Sequence, residues 1–164
     1  MNGKEKHRTF DAKKALQRAQ ALCSRQEKCI SDIKTKLFTW GADKEQIKEI
    51  IDALIRDNFI NEERYSRFFA AEKARFNKWG PKKIEQTLKL KGICNDDIRN
   101  ALGEVEYYLT ADALEQIIRN KAKGIKAKND FDLKQKLIRF GVSRGFSYPV
   151  LIEIIDKMIA ENNC

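Results

Sequence analysis

Apolar residues recur along almost the whole chain at a period near that of the α-helix. Ile47, Ile50, Ile51, Leu54 and Ile55 stand at i, i+3, i+4, i+7 and i+8, which puts all five on one stripe of a helix. Asp43 precedes that stripe and Gln46 follows three residues later, the signature of a capping box. Asn61 caps the next predicted helix, whose apolar face reads Tyr65, Phe68, Phe69 and Phe76. Pro81 after Gly80 suits a first helical position. Asn95 starts a helix with Ile98, Leu102 and Val105, and Thr110 one with Leu114, Ile117 and Ile118. Asp130 precedes a helix with Leu133 and Leu137. Pro149 opens the last, which carries Leu151, Ile154, Ile155, Met158 and Ile159. No segment alternates with period two, so no sheet is expected.

One skeleton occurs three times. It reads Ile33-x-x-x-Leu37-x-x-x-Gly41, then Ile84-x-x-x-Leu88-x-x-x-Gly92, then Leu133-x-x-x-Leu137-x-x-x-Gly141. The apolar pair shares one helical face, and each glycine is predicted to end its helix at C′ with positive φ. A short linker and another amphipathic helix follow each one. The expected fold is therefore all-α: three tandem three-helix repeats, about nine helices, elongated and curved. The predicted divisions are a polar tail at 1–10 and repeats at 11–58, 59–107 and 108–164. A three-helix unit of this size is marginal alone, and stacking buries more apolar surface.

Composition alters the picture in one respect. The chain of 164 residues carries a net charge of +9, which favours polyanions or an acidic partner. Helix-turn-helix DNA readers would place basic side chains on the third helix of each unit. Here Asp43, Glu45, Glu49, Asp52 and Asp57 outnumber Lys44, Lys48 and Arg56; Asp96, Asp97, Glu104 and Glu106 oppose only Arg99; and Glu153, Asp156 and Glu161 oppose only Lys157. An acidic helix entering a DNA groove meets phosphate repulsion. The positive charge lies on the first two helices of the units. The candidate basic surface comprises Arg25, Lys34, Lys36, Arg64, Arg67, Arg75, Lys78, Lys82, Lys83, Lys89, Lys91, Lys121, Lys123, Lys126, Lys128, Lys134, Lys136 and Arg144. Such a surface suits a phosphate backbone or an acidic filament groove rather than base readout.

Catalytic signatures are absent. There is no phosphate-binding G-x-x-x-x-G-K-[ST] loop and no G-x-G-x-x-G. The only histidine, His7, lies in the polar tail. Cys23, Cys29, Cys94 and Cys164 form no C-x-x-C pair, so a zinc site is not expected. The first three read as small apolar residues on helices or near their ends, and Cys164 as exposed at the terminus. Carboxylates mostly have nearby lysines or arginines, as in surface pairing. No enzymatic activity, cofactor or metal is expected. The polar first ten residues lack an apolar signal region and no long apolar run occurs, so the chain is expected to be cytoplasmic, without membrane contact.

Several stretches together resemble the RecX family of regulatory proteins. Ser24-Arg25, Cys29, Asp32-Ile33 and Lys36-Leu37 are similar to the family's first-repeat signature, and Phe59-Ile60-Asn61-Glu62-Glu63-Arg64-Tyr65 to its turn into the second repeat. Gly80-Pro81-Lys82-Lys83-Ile84, with Leu88, Lys91, Gly92 and Ile93, is the most specific match. Lys136-Leu137, Phe140 and Arg144-Gly145-Phe146 resemble the closing motif. Asn61 stands where the family commonly has aspartate, and Thr87 where it often has an acidic residue. The resemblance spans roughly residues 12–160 and implies a monomeric modulator of the RecA recombinase in recombination, DNA repair and the SOS response. Such proteins bind RecA and its filament on DNA and suppress ATP hydrolysis and strand exchange, by lying in the filament groove or blocking filament growth. Weak DNA binding of its own is compatible with that reading. Two other readings stay open: a stand-alone DNA-binding protein without sequence specificity, and a helical-repeat adaptor for another protein.

Overall fold

The structure, a computed structural model, describes residues 10–162. Nine α-helices and one 3-10 turn occur among them, and no strand. His7 and Cys164 lie outside the described residues. The chain forms two compact units, one through Tyr65 and one from Ser66 onward.

The first unit contains α1 (Ala12–Arg25), α2 (Ile30–Thr39) and α3 (Lys44–Arg56). Asp11 caps α1 by accepting the Lys14 N–H at 3.0 Å. The capping box of α3 forms as its sequence predicts: Asp43 accepts the Gln46 N–H at 2.8 Å and Gln46 accepts the Asp43 N–H at 3.0 Å. Ala15, Ala19 and Cys23 from α1 meet Ile33 and Leu37 from α2 and Ile50, Ile51 and Leu54 from α3 in one core. The small α1 residues let that helix approach the larger side chains opposite.

The second unit holds most of α4 (Glu62–Arg75), then α5 (Pro81–Leu90), α6 (Asn95–Val105), the 3-10 turn Glu106–Leu109, α7 (Ala111–Ala122), α8 (Asp130–Ser143) and α9 (Tyr148–Asn162). Asn61 caps α4 through the Arg64 N–H at 2.8 Å, and Thr110 caps α7 through the Ala113 N–H at 3.3 Å. The cap of α8 is Asn129, so Asp130 is the first helical residue rather than the one before it. Pro149 is the second residue of α9, one later than its sequence suggests.

Two helices end in the predicted way. After α2, Gly41 has φ +94°, its N–H bonds to Phe38 O and the next N–H, of Ala42, to Leu37 O. After α5, Gly92 has φ +82°, with the paired bonds Gly92 to Lys89 O and Ile93 to Leu88 O. This is the Schellman arrangement, which satisfies orphan carbonyls at the helix end.

The third repeat corrects the predicted register. Gly141 lies inside α8 and is buried, whereas Gly145 takes φ +91° and makes the same pair of bonds: Gly145 to Val142 O and Phe146 to Gly141 O. The true third skeleton is Leu137-x-x-x-Gly141-x-x-x-Gly145, four residues later than the expected one. Gly141 fills an apolar slot because a Cβ there would sit 2.3 Å from Leu151 Cδ2. The aromatic stripe of α4 is also corrected. Tyr65 and Phe69 are buried, but Phe68 is 53% and Phe76 74% exposed. The buried line runs through Ser66, Ala70 and Ala74 instead, and Phe76 falls one residue past the helix.

Candidate functional site: a basic surface

The second and third repeats meet where the start of α5 abuts the end of α8. Gly80 N–H donates to Arg144 O at 2.6 Å and Lys82 N–H to Gly145 O at 3.2 Å. Unsatisfied amides of one helix start thus bond carbonyls at another helix end, and the two dipoles attract. Neither glycine tolerates a side chain here. A Cβ on Gly80 would lie 2.6 Å from the Gly145 carbonyl, and one on Gly145 would lie 2.4 Å from Lys83 Cβ.

This junction gathers three of the predicted basic residues. Lys83 Nζ donates to Ser143 O at 3.1 Å and lies 4.5 Å from the Trp79 ring centre. Arg144 Nη1 donates to Asn77 O at 2.6 Å, with its guanidinium 5.4 Å from the Phe140 ring. Lys82 spends only its backbone amide on the fold and its side chain stands in solvent. The three line or flank a groove of about 400 Å³ with Gln86, Val142 and Tyr148. Cations held by carbonyls and ring faces keep their charge while losing mobility, which lowers the ordering cost of meeting an anion.

Other predicted residues divide into paired and exposed groups. Arg64 is bound to Glu27 at 2.6 Å and to Asn58, Arg67 to Glu104 at 2.9 Å and Lys89 to Glu85 at 2.6 Å. Lys134 pairs with Asp156 at 2.5 Å and Lys136 with Asp132 at 2.8 Å. Their charge is largely offset by their own chain. Lys123, Lys126 and Lys128 are exposed in the linker between α7 and α8, and Lys121 lies 5.2 Å from the Phe140 ring. Arg75 and Lys78 flank the end of α4, and Lys91 is half-buried as the cap of α5. In the first unit Arg25, Lys34 and Lys36 are exposed.

Sequence reasoning missed four exposed residues, two in each unit. Lys44 and Lys48 of α3 join Lys34 around a groove of about 700 Å³ floored by Ile30, Ile47 and Ile51. Their positions in an acidic helix hid them, because the sum over the helix masks which face each charge occupies. Tyr107 and Tyr108, in the 3-10 turn, are 81% and 39% exposed. They carry no helical period, so no amphipathic pattern pointed to them.

Burial, then the negative charge of Glu27, pushes the Cys23 thiol up and disfavours thiolate. Asp132 is held below the usual carboxylate range by the Lys136 ammonium and then the Lys128 N–H. Glu115 is lowered by Arg119, and Arg119 raised by Glu161 and then Glu115. These are carboxylates locked into ion pairs. No cluster of His, Cys, Asp or Glu suited to a metal occurs among the described residues, nor a helix long and apolar enough to cross a membrane.

Comparison with known proteins agrees with this architecture. A model of the RecX second three-helix domain matches residues 61–102, and one of the RecX third three-helix domain matches 110–153. The chain is 31% identical over 129 residues to the regulatory protein RecX of Actinobacillus pleuropneumoniae serotype 5b, covering 76% of this chain and 80% of the relative. It is 27% identical to the regulatory protein RecX of Lactobacillus johnsonii over 90% of this chain, and spans 55% of that relative's length. The chain thus spans about half the length of some curated relatives it matches. A crystal structure of regulatory protein RecX superposes with a TM-score of 0.78 at 25% identity, covering 88% of this chain and 73% of that one. RecX from Lactobacillus salivarius shares the fold with a TM-score of 0.70 at 23% identity, over 91% of this chain and 97% of that one. Two consecutive RecX domains, carried on an all-helical chain with a relative this similar along most of both lengths, make the protein a member of the RecX family, whose named role is regulation rather than catalysis.

Proposed function

We propose that this chain binds a RecA-type recombinase and its nucleoprotein filament, lowers ATP hydrolysis and strand exchange, and so restrains recombination and repair in the cytoplasm. Membership of the RecX family carries the reading. The repeats at 11–58, 59–107 and 108–164 act as the binding modules of a monomer. Their useful cations are those not neutralised by the chain itself: Lys82 beside Lys83 and Arg144, and Lys123, Lys126 and Lys128. Binding is steric and electrostatic, with phosphate or acidic side chains as counter-charges. The test is ATP hydrolysis by the cognate recombinase on single-stranded DNA, titrated with this protein. The rate falls without a matching loss of free DNA. An unchanged rate with folded, helical protein refutes the reading.

The net charge of +9 favours one alternative, a DNA-binding protein that needs no partner. It requires salt-dependent binding by the protein alone, with a log–log slope set by the phosphates contacted. Absence of binding at about 50 mM salt removes it.

A further inference from the structure

The end of α4, the 3-10 turn and the start of α7 surround a groove of about 570 Å³ lined by Arg75, Lys78, Tyr107, Tyr108, Gln116 and Asn120, among others. Two exposed aromatic rings, Tyr107 and Tyr108, line it, and a third, Phe76, follows Arg75 in the chain. Tyr107 is 81%, Phe76 74% and Tyr108 39% exposed. All three count as exposed rather than buried. Arg75 lies between two of the rings, with Cζ 5.3 Å from the Tyr108 centre and 5.5 Å from that of Phe76. Tyr107 and Tyr108 meet edge to face, at 5.6 Å and 81°. The second cation is also fixed. Lys78 adopts φ +54°, and its Nζ donates to Arg75 O at 2.6 Å. Asp112 is the one carboxylate lining the groove, and Glu106 precedes Tyr107 in the chain.

We infer that this cluster is a binding site for single-stranded nucleic acid, in which unpaired bases stack on Tyr107 and Phe76 while Arg75 and Lys78 hold the intervening phosphates. Projecting aromatic faces beside anchored cations are what a flexible strand of alternating bases and phosphates requires. Stacking accepts any base, because every base has a π-face, so the site needs no base-edge readout. A protein partner would favour an apolar pocket for an anchoring side chain. Here the rings project, and the aliphatic lining is limited to Ala74, Ala113 and Ile117. The site is independent of the recombinase reading, because it needs only this chain and a strand.

The experiment measures fluorescence anisotropy of the full chain, without recombinase, on labelled oligo-dT of about 15 nucleotides. An oligo-rU of equal length and an abasic strand with the same phosphates are measured beside it. The dT strand binds more tightly than the abasic one. Tyr107→Ala weakens dT binding by about five-fold or more, leaving the abasic affinity and the salt slope unchanged. Arg75→Gln weakens both strands and lowers the salt slope by about 0.7. Comparison of dT with rU decides whether DNA or RNA is preferred. Tyr107 is so exposed that its truncation leaves the fold intact, which circular dichroism verifies. Equal binding of dT and abasic strands, no binding at about 50 mM salt, or an unchanged Tyr107→Ala variant overturns the site. A Tyr107→Ala variant that loses only recombinase inhibition overturns it too, and makes the patch a protein-docking surface.

Discussion

Glycine positions divide sharply by what surrounds them. Gly145 combines φ +91° with a Lys83 backbone too close for any Cβ. Gly80 faces the Gly145 carbonyl, and Gly141 faces the Leu151 side chain. Gly103, inside α6, has nothing within 4 Å. Alanine at Gly145 is therefore expected to destabilise by about 2–5 kcal/mol, from the left-handed backbone and the clash together. At Gly141 the cost is about 1–3 kcal/mol, because a side chain can yield where a backbone cannot. At Gly103 alanine stabilises by about 0.5–1 kcal/mol through helix propensity and lost unfolded-state freedom. Urea denaturation of the three variants checks the order; a Gly145→Ala variant as stable as the parent would mean that the junction of α5 and α8 is loose. The same residues show why sequence periodicity selects the wrong glycine in the third repeat. The sequence offers two glycines four apart, and periodicity favours the one that completes an apolar-apolar-glycine skeleton. Only the bulk of Leu151 opposite reveals Gly141 as an apolar position.

At the scale of elements, helix existence and most caps were legible, because local patterns govern both. The Asp43 and Gln46 box, the Asn61 and Thr110 caps and Pro81 at the first turn all rest on interactions within a few residues. Faces were less legible. Phe68 and Phe76 sit about one residue off the buried line of α4, and hydrophobic type alone places them wrongly inside. Ion pairs between helices, such as Arg119 with Glu161 and Lys134 with Asp156, were invisible, whereas i,i+4 pairs within α7 and α8 shape the response to acid. Asp132 and Glu115 have carboxyls lowered in the folded state, by Lys136 and Arg119 respectively. A lowered folded value contributes stability that is present above the unfolded value and lost as pH falls through the folded one. Helices α7 and α8 are thus each expected to weaken below about pH 4. Asp132→Asn flattens part of this acid limb and leaves stability nearer neutrality dependent only on the lost pair. Thermal unfolding between about pH 7 and pH 3 reads the difference. An identical pH profile would mean that solvent screens the exposed pair completely.

For the whole molecule, the sequence showed that charge is segregated, but not which charges remain available to a partner. The basic count on α4 and α5 treats Lys82 and Lys89 alike. In the structure Lys89 is neutralised by Glu85 at 2.6 Å, whereas the Lys82 ammonium stands in solvent beside Lys83 and Arg144. A partner's anion meets a dipole at Lys89 and a net positive field at Lys82. Lys83 and Arg144 are unsuited to a clean test, since each also bonds a carbonyl at the junction of the second and third repeats. Lys82→Glu changes charge without touching a side-chain contact. It is expected to raise the concentration needed for half-inhibition of recombinase ATP hydrolysis by about ten-fold at low salt, the range of a one- to two-kcal change in a charged contact. Lys89→Glu is expected to shift it by less, since the wild-type pair already screens that lysine. Added salt narrows the Lys82→Glu difference, because the contact lies at the surface within a Debye length of solvent ions. Equal effects of the two substitutions would show that the partner senses only total charge, and would favour non-specific polyanion binding over a fitted filament contact.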